Sequence, residues 1–228
     1  MSAPRDEDAP ITSPEAEERA QFMLRLRARG IDDLRLLRAL ERAPRALFMP
    51  QRYGDIAARD IALPIGCGQT APPPSIVAAM IQALDPGPGS RVLEIGTGTG
   101  YAAALLAQLA GEVVSLERCQ TLALEAAARL EAFGLANVRV AWADALTLDP
   151  QVGLFDSILV HALIEAPAPR LIDFLVEGGS LVAAVADDTS GEQRILRLTR
   201  QANGETVASA HGAARTFMPL VQGLSRAL

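Results

Sequence analysis

The fold of this 228-residue chain is decided by the stretch Arg91-Val-Leu-Glu-Ile-Gly-Thr-Gly-Thr-Gly100. Its first half is an apolar run typical of a buried strand, and its second half carries glycines at the alternate positions 96, 98 and 100. Because glycine has no Cβ, the backbone can turn sharply there and approach a ligand closely. A helix must begin near Tyr101, with its free N–H groups facing that ligand. The stretch therefore predicts a strand–turn–helix unit that binds a small molecule.

Two acidic residues near the glycine stretch indicate which kind of ligand it binds. Glu94 stands two residues before the first glycine, and Glu117 ends the next apolar run, Val113 to Leu116. A carboxylate at that place in a βαβ unit can accept hydrogen bonds from both hydroxyls of a ribose. The dinucleotide fingerprint would have its third glycine where Tyr101 stands, so the pattern resembles the S-adenosylmethionine (SAM) site of class I methyltransferases. A nicotinamide site and a purely structural turn with solvated acids are the alternatives.

Composition bounds the class of protein. Half of the residues are apolar but only 4% are aromatic, and the net charge is −6. An acidic chain has no general attraction to phosphate backbones, so nucleic-acid binding is disfavoured. No apolar stretch approaches the ~20 residues of a membrane span, and the polar first ten residues are unlike a secretory leader. Cys67 and Cys119 are too few for a disulfide framework, and Cys67 is interpreted as a small loop residue. We therefore expect a cytoplasmic protein in a reducing compartment, without a membrane or nucleic-acid partner.

The chain reads as a small N-terminal part followed by one α/β domain. Ser13-Pro14-Glu15 is typical of a helix start, and two helices are expected, the first to about Arg29 and the second from Asp33 to Arg42. The following residues, 43–75, hold six prolines and are interpreted as a functional surface loop. The expected divisions are a disordered tail (1–12), N-terminal helices with a substrate loop (13–75) and a SAM-binding domain (76–228).

From Ile76 onward strands and helices alternate, which is typical of a parallel sheet covered on both faces. The expected elements are helix 76–84, strand 91–95, helix 101–110, strand 112–117, helix 120–133, strand 137–142, strand 155–160, a helix of about 168–176 ending at Gly178-Gly179, and strand 180–186. Two last strands, 193–200 and 206–218, meet at an Asn203-Gly204 turn and should pair antiparallel. The predicted fold is a Rossmann-like, doubly wound, mostly parallel α/β sheet with antiparallel C-terminal strands and a small N-terminal helical appendage.

A second segment points to one family. The run Leu63-Pro-Ile-Gly-Cys-Gly-Gln-Thr70 resembles the hallmark segment of protein-L-isoaspartate O-methyltransferases. The likeness extends upstream to Ala43-Pro-Arg-Ala-Leu-Phe-Met-Pro50 and downstream to Phe155-Asp156, Glu177-Gly-Gly179 and Phe217-Met-Pro-Leu-Val-Gln-Gly223. It covers nearly everything after residue 20. The glycine stretch alone would indicate only a methyltransferase, whereas the segment from Pro64 to Thr70 is specific.

The resemblance implies repair chemistry, in which SAM methylates the free α-carboxylate of an L-isoaspartyl residue in a damaged protein or peptide. A carboxylate is already ionised at neutral pH and needs no general base, so catalysis should be mostly positioning. No metal ion is expected in the site, and the protein is expected to be a monomer. The implied substrate contacts are Ile65, Gly66, Cys67, Gly68, Gln69 and Thr70, partly through backbone N–H groups. The implied SAM contacts are Thr70, Glu94, Gly96, Thr97, Gly98, Gly100, Glu117, Arg118, Asp144 and Ala145.

This chain departs from the family pattern at three places. Pro72 stands where the family has a serine whose hydroxyl is assigned to the active site, and proline offers neither a hydroxyl nor an N–H. Losing one such donor could lower the rate ~10–1,000-fold, so Pro72→Ser is expected to raise turnover. His161 stands where the family has a threonine, and it is a candidate substrate contact or a base for a less acidic nucleophile. Alanines flank Asp144 in place of two glycines.

Three functions are compatible with these residues. The leading interpretation is an isoaspartyl carboxyl methyltransferase. The second is a diverged SAM methyltransferase of the same lineage that acts on another substrate and has weak or no repair activity, and Pro72 and His161 motivate it. The third is a SAM-binding regulatory protein without turnover.

Overall fold

The computed structural model describes residues 14–165, 168–187, 190–212 and 216–226, so the expected tail at 1–12 lies outside the described residues. A small antiparallel hairpin is formed by β1 (Leu63–Pro64) and β2 (Thr70–Ala71). The main sheet contains β3 (Arg91–Ile95), β4 (Glu112–Glu117), β5 (Val138–Trp142), β6 (Phe155–Ile164), β7 (Leu175–Ala186), β8 (Gln193–Arg200) and β9 (Thr206–Ala210). Its strand order is β5-β4-β3-β6-β7-β8-β9.

The sheet is parallel from β5 to β7 and antiparallel at its last two strands. The predicted fold class is therefore confirmed. The chain runs outward from β3 to β5 and then crosses back to place β6 on the other side of β3. Doubly wound sheets bind ligands outside the carboxyl ends of the strands at the point where the order reverses. Here that point is the end of β3, where the glycine stretch begins.

The helices are α1 (Pro14–Arg27), α2 (Leu34–Arg42), α3 (Pro74–Leu84), α4 (Tyr101–Ala107), α5 (Gln120–Ala132) and α6 (Pro169–Ile172). Asp33 caps α2, because its carboxylate accepts hydrogen bonds from the N–H groups of Arg35 and Leu36 at 2.7 and 3.4 Å. α4 is buried along its whole length, and its alanines allow close approach to the sheet. Within the described ranges, no helix has the length and apolarity needed to traverse a bilayer.

Both faces of the sheet are covered. Alternate residues of β3 enter opposite cores: Val92 packs in the cluster that includes Met80 of α3 and Leu105 of α4, whereas Leu93 packs in the cluster that includes Phe155 and Leu171. This alternation follows from the two-residue repeat of a strand. It explains why the parallel strands are continuous apolar runs.

Several predicted elements differ in extent from the structure. Strand 155–160 continues to Ile164, strand 180–186 already begins at Leu175, and helix 101–110 ends at Ala107. The expected helix at 168–176 ends at Ile172, and Leu175 already begins β7, because it pairs with Phe155 at the edge of β6. Gly178-Gly179 therefore lies within a strand at a register shift, not at a helix end. A Cβ at Gly179 would lie 2.9 Å from the carbonyl oxygen of Val176, which explains why glycine is needed there.

The last predicted strand is also shorter than expected. β9 ends at Ala210 instead of reaching Met218. The segment 216–226, here called the tail segment, instead turns back over the carboxyl ends of the parallel strands. It forms isolated bridges from Pro219 to Leu163 and from Ser225 to Cys119. The chain after β9 therefore does not continue the β8–β9 hairpin, because it pairs with residues that are distant in sequence.

The proline-rich part of the chain is folded onto the main domain. Met49, Leu63, Ile65 and Ala71 are buried in one cluster with Cys119 and Leu122 from the start of α5. Residues 63–73, here called the lip, thus pack beside the end of β4. The lip and the glycine stretch meet at the same edge of the sheet.

Candidate active site

The glycine stretch forms a tight turn after β3. Gly96, Gly98 and Gly100 have φ angles of +92°, +55° and +88°, a region that side-chain-bearing residues rarely adopt. The Gly96 N–H donates to the carbonyl of Leu116 at 2.8 Å, which fixes the turn to β4. A Cβ at Gly98 would lie 3.5 Å from Ile65 Cδ1 in the lip. The turn therefore passes close under the lip.

Glu117 is held by this turn. Its side chain is buried, and its two carboxylate oxygens accept hydrogen bonds from the Gly98 and Cys119 N–H groups, each at 2.9 Å. An ionised carboxylate has about four acceptor sites, so capacity for further donors is left. The geometry suits recognition of a diol such as a ribose.

Two adjoining cavities lie between the lip and the strand ends. The first, of about 90 Å³, is bordered by the lip, the glycine turn and the start of α4. The second, of about 160 Å³, is bordered by the ends of β4 and β5 and by the tail segment. Both cavities are lined by Gln69, Gly96, Glu117 and His161. These four residues mark the junction of one elongated site.

The lip is cross-linked to the edge of the site by a disulfide between Cys67 and Cys119. Cys67 has a φ of +59° and Gly68 a φ of +66°, and this left-handed pair turns the Cys67 side chain toward the start of α5. The interpretation of Cys67 as only a small loop residue is therefore wrong, and the cross-link also runs counter to the expected reducing compartment, in which disulfides are rare. Packing of the lip against Leu122 brings the two sulfur atoms together, although 52 positions separate them.

Loss of the cross-link is expected to reduce stability. A disulfide that closes a loop of this length restricts the unfolded chain, so Cys67→Ser should lower the free energy of unfolding by about 2–4 kcal/mol in the absence of reductant. Denaturant unfolding measures this difference. With excess dithiol reductant, the native protein and the variant should unfold at the same midpoint. Equal midpoints without reductant would contradict the expectation.

The tail segment closes the second cavity through Asp144. The Gly223 N–H donates to Asp144 Oδ2 at 2.7 Å, while Asp144 Oδ1 accepts from the Leu146 N–H at 2.9 Å. Arg118 Nε donates to the carbonyl of Gly223 at 2.9 Å. Asp144 and Arg118, both expected to contact the cofactor, thus also hold the tail segment, which was not predicted to be part of the site. The likeness of residues 217–223 to the family was the signal that pointed to it.

A buried polar chain supports His161 at the junction of the cavities. The His161 Nε2 atom lies 3.2 Å from Glu94 Oε1, and Glu94 is completely buried. The other oxygen of Glu94 accepts from Ser115 Oγ, which lies 2.5 Å from Thr97 Oγ1 in the glycine turn. The structure thus places Glu94 beneath the site, where it links three strand ends.

Arg45 fastens the lip from within. Its guanidinium donates to the carbonyls of Ala57, Arg59, Ile61, Ala71 and Pro72 at 2.9–3.4 Å. Burial lowers the pKa of the Arg45 guanidinium, an effect that the neighbouring Tyr101 partly opposes. Burial raises the pKa of the Tyr101 hydroxyl, which Arg45 partly opposes, so the phenol stays neutral at physiological pH. Neither residue was expected in the site, although residues 43–50 belonged to the family likeness.

The structure brings most of the expected site residues together. The first cavity is lined by Ile65, Thr70, Thr97 and Gly98, the second by Cys67, Arg118, Asp144 and Ala145, and both by Gln69, Gly96, Glu117 and His161. Gly66, Gly68, Gly100 and Glu94 line neither cavity. The three glycines shape the turns that carry lining residues, and Glu94 lies below them.

Comparison with known proteins gives a consistent result. The model of the family described as Protein-L-isoaspartate(D-aspartate) O-methyltransferase matches residues 17–225. A protein from Maricaulis maris (strain MCS10) named Protein-L-isoaspartate O-methyltransferase is 43% identical over 208 residues, which are 91% of this chain and 96% of that protein. A relative of the same name from Rhodopseudomonas palustris (strain BisA53) is 43% identical over 219 residues, which are 96% of this chain and 100% of that protein.

Solved structures share the fold. One titled protein-L-isoaspartate O-methyltransferase superposes with a TM-score of 0.76 at 25% identity, covering 90% of this chain and 67% of that chain. A Plasmodium falciparum protein described as a member of the same enzyme class, in complex with S-adenosyl-L-homocysteine, superposes with a TM-score of 0.75 at 22% identity. That superposition covers 88% of this chain and 97% of the other.

Proposed function

The chain belongs to the protein-L-isoaspartate O-methyltransferase family, and on this premise we propose that it transfers the methyl group of SAM to the free carboxylate of L-isoaspartyl residues in damaged proteins. The proposal is supported by two sequence segments, the glycine stretch, which is typical of methyltransferases, and the lip, which is specific to this family. They lie on facing walls of one site.

One observation carries the proposal. Among the described residues, three buried side-chain polar atoms have no hydrogen-bond partner: Arg45 Nε, Tyr101 Oη and His161 Nδ1. All three belong to residues that line the first cavity. Buried polar atoms are normally paired, and exceptions call for an explanation such as a ligand. Their concentration beside the glycine turn supports a polar ligand group in that cavity.

The residues present fit SAM. Gly96 and Gly98 leave room that a Cβ would fill between the turn, His161 and Ile65. Glu117, which borders both cavities, would accept the ribose hydroxyls, with Asp144 and Ala145 on the adenine side. Arg118, Thr97 and Thr70 would complete the cofactor contacts, and Gly100 and Glu94 would support them from behind. An elongated ligand would thus span both cavities.

The chemistry asks the protein mainly for positioning. When bound, SAM supplies an electrophilic sulfonium methyl group. The substrate carboxylate is already an anion at neutral pH, so no residue has to remove a proton from it. The lip, from Ile65 through Gly66, Cys67, Gly68 and Gln69 to Thr70, would hold the carboxylate in line and exclude water. The Gln69 N–H itself is used inside the lip, where it donates to the Gly66 carbonyl at 3.1 Å.

The organisation of the chain follows from these roles. We infer that residues 13–75 carry the substrate lip and that residues 76–228 form the cofactor-binding domain. The protein would act as a monomer on isoaspartyl proteins and peptides. The acidic net charge of −6 supports a partner other than nucleic acid.

The test is methyl transfer from labelled SAM to an isoaspartyl peptide and to its aspartyl twin. The expected result is transfer to the isoaspartyl peptide and none above background to the twin. Transfer to other proteins in a lysate, but not to the isoaspartyl peptide, would instead support a diverged methyltransferase. Calorimetric SAM binding without transfer to any acceptor would support a regulatory protein.

A further inference from the structure

His161 and Pro72 both line the first cavity. Pro72 belongs to the lip, and its carbonyl already accepts a hydrogen bond from Arg45 Nη2 at 2.9 Å. His161 lies toward the carboxyl end of β6, the sheet edge at which parallel α/β folds place their ligands. Relative to the family pattern, the Pro72 position has lost a hydroxyl donor, and at the His161 position an imidazole with two ring nitrogens stands in place of a threonine hydroxyl.

The His161 ring is held in one orientation. Nε2 faces the fully buried carboxylate of Glu94, whose second oxygen is occupied by Ser115 Oγ. Gly96 lies against the base of this side chain, since a Cβ there would lie 3.4 Å from His161 Cβ. The side chain is 8% exposed, and its other nitrogen, Nδ1, is buried without a partner. One ring nitrogen is therefore engaged and the other is left for a ligand.

We propose that His161 donates a hydrogen bond from Nδ1 to the substrate carboxylate and so replaces the hydroxyl that Pro72 lacks. This inference rests on the proposed function. Because Nε2 faces the Glu94 carboxylate at 3.2 Å, donation from Nδ1 requires a hydrogen on both ring nitrogens, and this proposal places one on each. A donor on the non-reacting oxygen fixes the other oxygen for attack on the methyl group. His161 is then a catalytic residue, and Glu94 is a positioning residue.

The test is a double-mutant cycle with an isoaspartyl peptide. His161→Ala should lower kcat/KM for the peptide, measured at saturating SAM, by ~10–1,000-fold, as expected for loss of one donor. Pro72→Ser should raise kcat/KM by at least ~10-fold in the His161→Ala background, and by a clearly smaller factor in the native background. Equal factors in both backgrounds, or a His161→Ala enzyme as active as the native one, would overturn the inference.

A second pair of variants separates substrate contact from structural support. The amide nitrogen of asparagine can occupy the place of Nδ1, whereas that of glutamine reaches the place of Nε2. His161→Asn should therefore keep more activity than His161→Gln. The opposite order would show that His161 supports Glu94 and does not contact the substrate. Native enzyme that transfers no methyl group to the peptide would instead overturn the proposed function, and this inference with it.

Discussion

Gly98→Val is expected to abolish cofactor binding. Gly98 has a φ of +55°, and its N–H donates to Glu117 Oε2 at 2.9 Å. A Cβ would already contact Ile65 Cδ1 at 3.5 Å, so the two further methyl groups of valine must enter the first cavity, which measures only about 90 Å³. They would occupy the space proposed for SAM. We expect the Kd for SAM to rise at least ~100-fold, which corresponds to about 2.7 kcal/mol.

Isothermal calorimetry with SAM and with S-adenosylhomocysteine measures this change, and Gly134→Val is the matched control. Gly134 also has a positive φ, of +83°, but a Cβ there would meet nothing within 4 Å, and the residue lies away from both cavities. The control therefore carries similar backbone strain without filling the site. If Gly98→Val binds SAM with native-like affinity, or if both variants lose the same affinity, the glycine turn is not part of the cofactor site.

Arg45→Met is expected to destabilise the protein by about 3–5 kcal/mol. Methionine keeps much of the apolar volume but leaves five backbone carbonyls without their buried donor. Hydrogen bonds from a charged group contribute about 1.5–3 kcal/mol each, and the losses are not additive. The melting temperature should fall by roughly 6–20 °C for a chain of this size. Since two of the carbonyls belong to Ala71 and Pro72, the lip should also loosen.

Denaturant unfolding of Arg45→Met and Arg52→Met provides the comparison. Arg52 is exposed, and its guanidinium lies over the Tyr53 ring at 4.7 Å from the ring centre. Its replacement should cost no more than about 1 kcal/mol. If the two variants lose the same stability, Arg45 does not organise the lip.

The regular elements could be predicted because their signals are local. Apolar runs bounded by glycine and acids located β3, β4 and the start of α4 to within a few residues, and the alternation of elements predicted the sheet. The predictions were wrong where distant partners decide the backbone: Leu175 pairs with Phe155, and the tail segment leaves the β9 hairpin to bridge Leu163 and Cys119. No signal within a window of ten residues records such partners.

The glycine turn and the acid at the end of β4 could be predicted from the chain alone, because each depends on backbone freedom or charge within one short stretch. The lip was recognised by its resemblance to the segment of one family. The contacts of Cys67 with Cys119, of Glu94 with His161 and of Gly223 with Asp144 were visible only once the chain was folded, because 52, 67 and 79 residues separate the partners. The reason is physical. Contacts between distant residues depend on how the packed elements are placed in space, and that placement is a property of the whole chain.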